Sequence, residues 1–167
     1  MHVRTHTAEE TETLGRQLAG LRPDARELAV IKLTGELGAG KTTLARGFLR
    51  EVGVTEAVRS PTYTLLELHE LGGLTVLHID LYRLRDPAEL EPLGLREWAR
   101  AGTLWLIEWA ERGGGRLPPA DLTLTFTVEA PAHHIGLSAD SEAGKMWLAR
   151  LDGARHRGAS APVPSAP

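Results

Sequence analysis

Residues 28–49 of the chain read LAVIKLTGELGAGKTTLARGFL, and this stretch decides the fold. Its first seven residues form a short apolar, β-branched run, which predicts a buried strand over 28–34. Three glycines between positions 35 and 40 predict a loop. Apolar residues at helical spacing then predict a helix over 42–52. A strand, a glycine-rich loop and a helix in this order are typical of an α/β layer fold.

The remaining sequence predicts further helices and strands around this unit. A capping box at Thr7 precedes helical spacing over 8–21, and Asp86-Pro87 begins another helix. Apolar runs on either side of Gly72-Gly73 predict a hairpin. The predicted strands are 62–69, 75–82, 103–109 and 121–129, with two weaker ones near 134–139 and 145–151. The alternation in 121–129 is typical of an antiparallel strand, so we expect a mixed parallel and antiparallel sheet.

Length and composition limit the classes of protein to consider. The chain has 167 residues, which is the size of one domain. We expect this domain to span 1–153, followed by a disordered tail over 154–167, which is proline-rich and poor in large apolar residues. There is no cysteine, which excludes disulfides, thiolate metal sites and cysteine nucleophiles. No apolar run has membrane-span length and the first 20 residues are polar, so we expect a cytoplasmic protein with no membrane partner.

The charged residues also carry information. Nineteen basic and 22 acidic side chains give a net charge of −3, which disfavours tight nucleic-acid binding by this chain alone. Sixteen of the basic residues are arginines, and only Lys32, Lys41 and Lys145 are lysines. A lysine within a loop of this arginine-rich chain therefore points to a role that arginine fills poorly.

The loop sequence GELGAGKT at 35–42 fits the phosphate-binding pattern G-x4-G-K-[ST], the P-loop. Backbone N–H groups of the glycine-rich turn and of the helix behind it can converge on phosphates. Lys41 would reach the β- and γ-phosphates as a flexible point charge, and Thr42 would offer its hydroxyl to Mg²⁺. Because the motif follows a predicted strand and opens a predicted helix, we predict a P-loop NTPase-like three-layer α/β sandwich.

Two acids stand near the ends of predicted strands. Asp80 follows VLHI and Glu108 follows LWLI. Ligands of open α/β sheets lie beyond the carboxyl ends of the strands, so both acids can converge on the loop. We expect at least one of them in a metal site. The residues leave open whether Asp80 is a general base or an acid near the metal.

Neighbouring features have ordinary structural explanations. Residues 60–64, SPTYT, predict a β-turn before a strand, although such a loop could also contact the γ-phosphate or a partner. His78 lies within an apolar strand and is predicted to be a packed histidine. Trp109 is predicted to be a core aromatic residue, with a position beside the nucleotide as its alternative.

Together these residues resemble the bacterial TsaE family. The blocks GELGAGKTTLARGFL, SPTYTLLE, HIDLYRL and LIEWAER occur in the order and spacing of that family, and the resemblance covers about residues 7–128. It implies a P-loop α/β sandwich that slowly hydrolyses ATP with Mg²⁺. It also implies two partner proteins, TsaB and TsaD, which transfer a threonylcarbamoyl group to adenosine 37 of tRNAs reading ANN codons, so that tRNA is met only indirectly.

The resemblance also implies roles for individual residues. Lys41 and Asp80 are the expected catalytic residues, Asp80 matching the Walker-B-like acid. Thr42 and Glu108 are the expected Mg²⁺ ligands, and Trp109 matches a position beside the site. The expected nucleotide-binding residues are Leu37, Gly38, Ala39, Gly40, Lys41, Thr42 and Thr43.

Two other functions fit a P-loop in a chain of this size. A small-molecule kinase would need an arginine-bearing lid and an acceptor pocket, and the β-rich last third does not predict a helical lid. A nucleotide sensor would bind ATP without hydrolysing it and only dock partners. Release of phosphate without an acceptor separates both from an ATPase.

Overall fold

A seven-stranded sheet organises the described part of the chain. The computed structural model describes residues 1–23, 27–58 and 60–159. The strands are β1 (His2–Thr5), β2 (Ala29–Gly35), β3 (Leu66–Leu71), β4 (Leu74–Asp80), β5 (Thr103–Glu108), β6 (Leu122–Glu129) and β7 (Ala132–Ala139). The helices are α1 (Ala8–Gly20), α2 (Lys41–Val52), α3 (Leu95–Trp98) and α4 (Glu142–Ala159), with 3₁₀ segments at Pro87–Leu93 and Ala110–Arg116.

The sheet is mixed, as the sequence predicts. Its strand order is β1-β7-β6-β2-β5-β4-β3. The four central strands β6, β2, β5 and β4 are parallel neighbours, whereas β3, β7 and β1 are added antiparallel at the two sides. The prediction of an antiparallel strand over 121–129 is therefore half correct, because β6 is antiparallel to β7 and parallel to β2.

Two hydrophobic cores cover the two faces of the sheet, which gives the predicted three layers. Along β5, Leu104 and Leu106 belong to the core that contains side chains of α1, α2 and α4. Trp105 and Ile107 point the other way, into the core beneath the 3₁₀ segments. Successive side chains of a strand alternate between faces, so one fully buried strand supplies both cores.

Two glycines bring α1 and α2 into close contact. A Cβ atom at Gly15 would lie 2.2 Å from the backbone oxygen of Leu44, and one at Gly47 would lie 2.0 Å from that of Glu12. Neither position accepts a larger residue without separating the helices. This close packing fixes α2, and therefore the N-terminus that follows the glycine-rich loop.

The structure corrects several sequence predictions outside the central unit. The strand predicted near 145–151 is part of α4, whose residues Trp147 and Leu151 are buried four positions apart on one helical face. Because α4 continues to Ala159, residues 154–159 are helical rather than disordered. Residues 160–167 of the predicted tail lie outside the described residues, and the single domain over 1–153 stays a prediction.

The beginning of the chain also differs from expectation. The sequence predicts no strand before α1, yet β1 pairs antiparallel with β7 and buries Val3 and Thr5. The strand predicted over 62–69 begins only at Leu66, since Thr62–Thr64 form the turn. No helix within the described residues is long and apolar enough to cross a membrane.

Candidate functional site

The glycine-rich loop lies between the end of β2 and the start of α2. Gly38 has φ 76° and Gly40 has φ 102°, left-handed values that favour glycine. Gly40 is the N-cap of α2 and provides no side chain to cap it. The N–H groups of the first helical turn have no carbonyl partner within the helix, so they form a ready anion-binding site.

Lys41 is the first residue of α2, and its side chain folds back across the loop. Its Nζ donates hydrogen bonds to the backbone oxygens of Gly35, at 2.8 Å, and Glu36, at 2.6 Å. The same ammonium lies 3.7 Å from the ring centroid of Trp109. Burial lowers the pKa of Lys41, and the nearby carboxylates act against this shift: Glu111, Glu108, Asp80 and Glu36.

Thr42, Glu108 and His78 form one chain of hydrogen bonds beneath the loop. The Thr42 hydroxyl donates to Oε2 of Glu108 at 2.6 Å, and Nε2 of His78 lies 2.9 Å from Oε1 of the same carboxylate. Glu108 and His78 are 1% and 0% exposed, so water does not compete for these contacts. The sequence prediction that His78 is a packed histidine misses its bond to Glu108.

The oxygen atoms of Thr42 and Glu108 are of the type that binds Mg²⁺. Thr42 and Glu108 present a hydroxyl and a carboxylate oxygen side by side at the helix N-terminus. Mg²⁺ prefers oxygen ligands and is usually bound through one or two protein groups together with waters and substrate phosphates. Within the described residues no group of three or more His, Cys, Asp or Glu side chains could hold a metal ion.

Asp80 lies at the same edge of the sheet as Glu108. The two residues are register partners at the ends of the parallel strands β4 and β5. Oδ2 of Asp80 accepts hydrogen bonds from the hydroxyls of Ser60 and Thr62, the latter at 2.7 Å. Its Oδ1 accepts the backbone N–H of Tyr82 at 2.8 Å. The carboxylate is 3% exposed and is therefore fixed in orientation.

The turn before β3 brings these hydroxyls to Asp80. The backbone N–H of Leu65 donates to the oxygen of Pro61 at 2.7 Å, which closes a five-residue α-turn where the sequence predicted a β-turn. The N–H of Asp80 then donates to the oxygen of Leu65 at 3.0 Å and ties the turn to β4. The four hydroxyls around Pro61 were the available sequence signal. The shared target of two of them, Ser60 and Thr62, is visible only once β3 and β4 are paired.

The structure brings most of the predicted site together. One cavity of about 160 Å³ is lined by Leu37, Gly38, Ala39, Gly40, Lys41, Thr42, Thr43, Glu108 and Trp109. These include all seven predicted nucleotide-binding residues, both predicted metal ligands (Thr42 belongs to both sets) and the tryptophan for which two positions were open. Asp80 is absent from this lining, because Ser60, Thr62 and Tyr82 surround its carboxylate instead.

A histidine that the sequence did not single out for this role also contacts the loop. Nδ1 of His133, on β7, lies 2.8 Å from the backbone oxygen of Ala39. The two residues are separated by 94 positions, and β7 reaches the loop only because β6 and β7 form a hairpin beside β2. No local pattern in the sequence could reveal this contact.

The family of the chain follows from comparison of its sequence with family models. The model described as "Threonylcarbamoyl adenosine biosynthesis protein TsaE" matches residues 5–135, which include the loop, Asp80 and Glu108. The chain belongs to the TsaE family. The resemblance seen over residues 7–128 is thereby confirmed, and the site described above lies inside the matched segment.

Curated TsaE relatives and a solved structure agree with this assignment. The chain is 43% identical over 125 residues to the tRNA threonylcarbamoyladenosine biosynthesis protein TsaE of Haemophilus influenzae, covering 75% of this chain and 79% of that protein. It is 38% identical over 123 residues to the protein of the same name from Bacillus subtilis, covering 74% and 75%. The crystal structure of YdiB from Bacillus subtilis superposes with a TM-score of 0.74 at 29% identity, covering 94% and 95%.

Proposed function

We propose that the chain is a Mg²⁺-dependent ATPase that works with TsaB and TsaD in the formation of threonylcarbamoyladenosine at position 37 of tRNAs reading ANN codons. One observation carries the proposal: the bond between Thr42 and Glu108, 2.6 Å long, at the N-terminus of α2. It joins a hydroxyl and a carboxylate, which are oxygen groups of the kind that Mg²⁺ prefers, beside a glycine-rich loop of the kind that binds phosphates, and so supports the proposal. The names of the relatives support the biological process.

In this proposal the loop residues bind the triphosphate. The backbone N–H groups of Gly38–Thr42 hold its oxygens, and Lys41 places its positive charge at the β- and γ-phosphates. Thr42 and Glu108 hold Mg²⁺, directly or through water. The bound ion neutralises charge that develops on the phosphate oxygens. Leu37 and Thr43 complete the lining of the cavity.

Asp80 acts on the attacking water. Its carboxylate orients or deprotonates that water, which adds to the γ-phosphorus while the bond to the β-phosphate oxygen breaks, yielding ADP, phosphate and a proton. Ser60 and Thr62 hold the carboxylate in place. Either hydroxyl can donate to the other instead, since the Ser60 and Thr62 oxygens lie 2.6 Å apart, and this would leave an Asp80 lone pair free to accept a hydrogen bond from water.

We expect the isolated chain to turn over slowly. Among the residues that the structure describes, Arg112 lies 5.3 Å from the ring of Trp109, and its guanidinium donates to the backbone oxygen of Tyr82. It is therefore engaged away from the loop, and a partner must supply or release the positive charge that completes the site. Contact with tRNA takes place only through the TsaB–TsaD pair, in the cytoplasm.

Phosphate release from ATP, measured with and without TsaB, TsaD and tRNA, tests the proposal. We expect Mg²⁺-dependent release without any acceptor molecule, faster with the partners, and abolished in Lys41→Ala. Transfer of the γ-phosphate to a small molecule would indicate a kinase instead. Binding of ATP without release, even with the partners present, would indicate a nucleotide sensor and refute hydrolysis.

A further inference from the structure

His78 is a fully buried histidine that follows two apolar residues on the same face of its strand. Leu74 and Val76 of β4 belong to the core that faces α2, and His78 follows in the same alternating set. A histidine used only for packing would be replaceable by an apolar residue of similar size. The polar contact of His78 in the described structure is instead with one carboxylate oxygen of Glu108, 2.9 Å away.

Two groups from opposite sides hold the Glu108 carboxylate. Thr42, at the start of α2, is hydrogen-bonded to Oε2, and His78, on the neighbouring strand, is hydrogen-bonded to Oε1. Each oxygen thus has its own donor, and rotation of the carboxylate would break both hydrogen bonds. The hydrogen bond between His78 and Oε1 therefore holds Oε2 beside the Thr42 hydroxyl.

The second nitrogen of His78 supports the same interpretation. Within the described residues Nδ1 has no hydrogen-bond partner, although it is buried. Because a carboxylate oxygen only accepts, the hydrogen bond to Glu108 is donated by Nε2. An imidazole with its proton on Nε2 leaves only an acceptor unpaired. Buried polar groups are nearly always hydrogen-bonded. Because only one of its two nitrogens is bonded in the described structure, the imidazole depends on the bond to Glu108 to offset the cost of its burial.

We propose that His78 is a positioning residue, which orients Glu108 so that Oε2 and the Thr42 hydroxyl together can bind Mg²⁺. The inference rests on the proposed function, since it assumes that Glu108 is a ligand of the ion. Groups that hydrogen-bond to metal-binding carboxylates typically change metal affinity or activity by about 10–100-fold when they are removed. Loss of the His78 donor should therefore weaken Mg²⁺ binding without weakening the phosphate contacts of the loop.

The test measures binding of the slowly hydrolysed analogue ATPγS to the full chain, by calorimetry, in Mg²⁺ and in EDTA. Three variants are compared with wild type: His78→Leu, His78→Asn and His78→Gln. The glutamine amide nitrogen can take the place of Nε2, whereas the shorter asparagine cannot reach it. We expect Leu and Asn to weaken binding at least about tenfold in Mg²⁺ and less than about twofold in EDTA, and Gln to restore most of the loss.

The outcomes separate this inference from the function on which it rests. A wild-type chain that binds ATPγS equally in Mg²⁺ and EDTA overturns the proposed Mg²⁺ site and the role of His78 together. Mg²⁺-dependent wild-type binding that persists in His78→Leu overturns only the role of His78. Equal losses in both buffers indicate a merely structural residue and overturn that role too. If the leucine variant does not fold, equal Mg²⁺-dependent binding by the Asn and Gln variants also overturns it.

Discussion

Replacement of Asp80 by asparagine tests its catalytic role most directly, because the variant keeps the shape of the side chain and removes its charge. In the structure this carboxylate accepts hydrogen bonds from Ser60, Thr62 and the backbone N–H of Tyr82. The amide oxygen of asparagine can keep the backbone bond. The two hydroxyls can rotate to accept from its NH₂ group, so no buried polar atom need lose its partner.

The cost in stability follows from these contacts. Hydrogen bonds to a charged group contribute about 1.5–3 kcal/mol and those between neutral groups about 0.5–1.5 kcal/mol. Each contact to Asp80 therefore weakens by about 1 kcal/mol, and removal of a buried charge offsets part of the sum. We expect Asp80→Asn to lose at most about 3 kcal/mol of unfolding free energy, or about 10 °C in melting temperature. Asp80→Ala leaves these donors unpaired and should lose more.

Catalysis should respond differently from binding. General-base catalysis typically contributes about 10²–10⁴-fold, so phosphate release should fall by that factor in Asp80→Asn, while ATPγS affinity stays within about threefold of wild type. Rapid-mixing measurement of phosphate under single-turnover conditions isolates the chemical step from product release. Single-turnover hydrolysis by the asparagine variant at the wild-type rate would refute the assignment of Asp80 to the attacking water.

Three further predictions concern the loop lysine, a buried histidine and the helix crossing. Lys41→Ala should weaken ATPγS binding at least about tenfold, whereas Lys145→Ala, at an exposed position of α4, should not; normal binding by Lys41→Ala would contradict the proposed phosphate site. Burial lowers the pKa of His69 below its usual value, so the unfolded chain takes up this proton first as the pH falls. The unfolding free energy should therefore decrease below about pH 6.5, and His69→Gln should flatten that decrease in urea titrations; an unchanged slope would exclude His69 as its source. Gly47→Ala places a Cβ atom 2.0 Å from a backbone oxygen of α1 and should lose at least about 2 kcal/mol. Gly115→Ala, with open space around it, should lose little, and equal losses for the two would contradict the close crossing.

An element could be predicted where its local sequence pattern agrees with its place in the folded chain. The strand, loop and helix of residues 28–52 were predictable because both faces of β2 are buried and the glycines of the loop have left-handed backbone angles. Helix α4 could not be predicted, because Trp147 and Leu151 fit a short apolar strand as well as one face of a helix. β1 was missed because an edge strand of four residues depends on its partner β7, about 130 positions away.

The same distinction applies to the candidate site. Lys41, Thr42 and Glu108 are identified by a motif and by strand ends, and the structure places them in one cavity. His78, His133 and Ser60 carry no local signal of their contacts with Glu108, Ala39 and Asp80. Each of those contacts spans 20 or more positions and depends on sheet register. The sequence thus predicted the residues that line this cavity better than the residues that hydrogen-bond to them from behind.

The charged and polar groups of the candidate site already have hydrogen-bond partners inside the chain. A nucleotide must displace some of these partners to bind. The Lys41 ammonium is held by two backbone oxygens, the Thr42 hydroxyl by Glu108, and Asp80 by two hydroxyls. Binding of phosphate and metal must therefore replace these bonds, each of which already involves a charged group, by bonds to the phosphate oxygens and the metal. The net free energy of binding is only the difference between the bonds that form and the bonds that are lost. Affinity should consequently depend on whether Mg²⁺ is present to offset the loss of the Thr42–Glu108 bond.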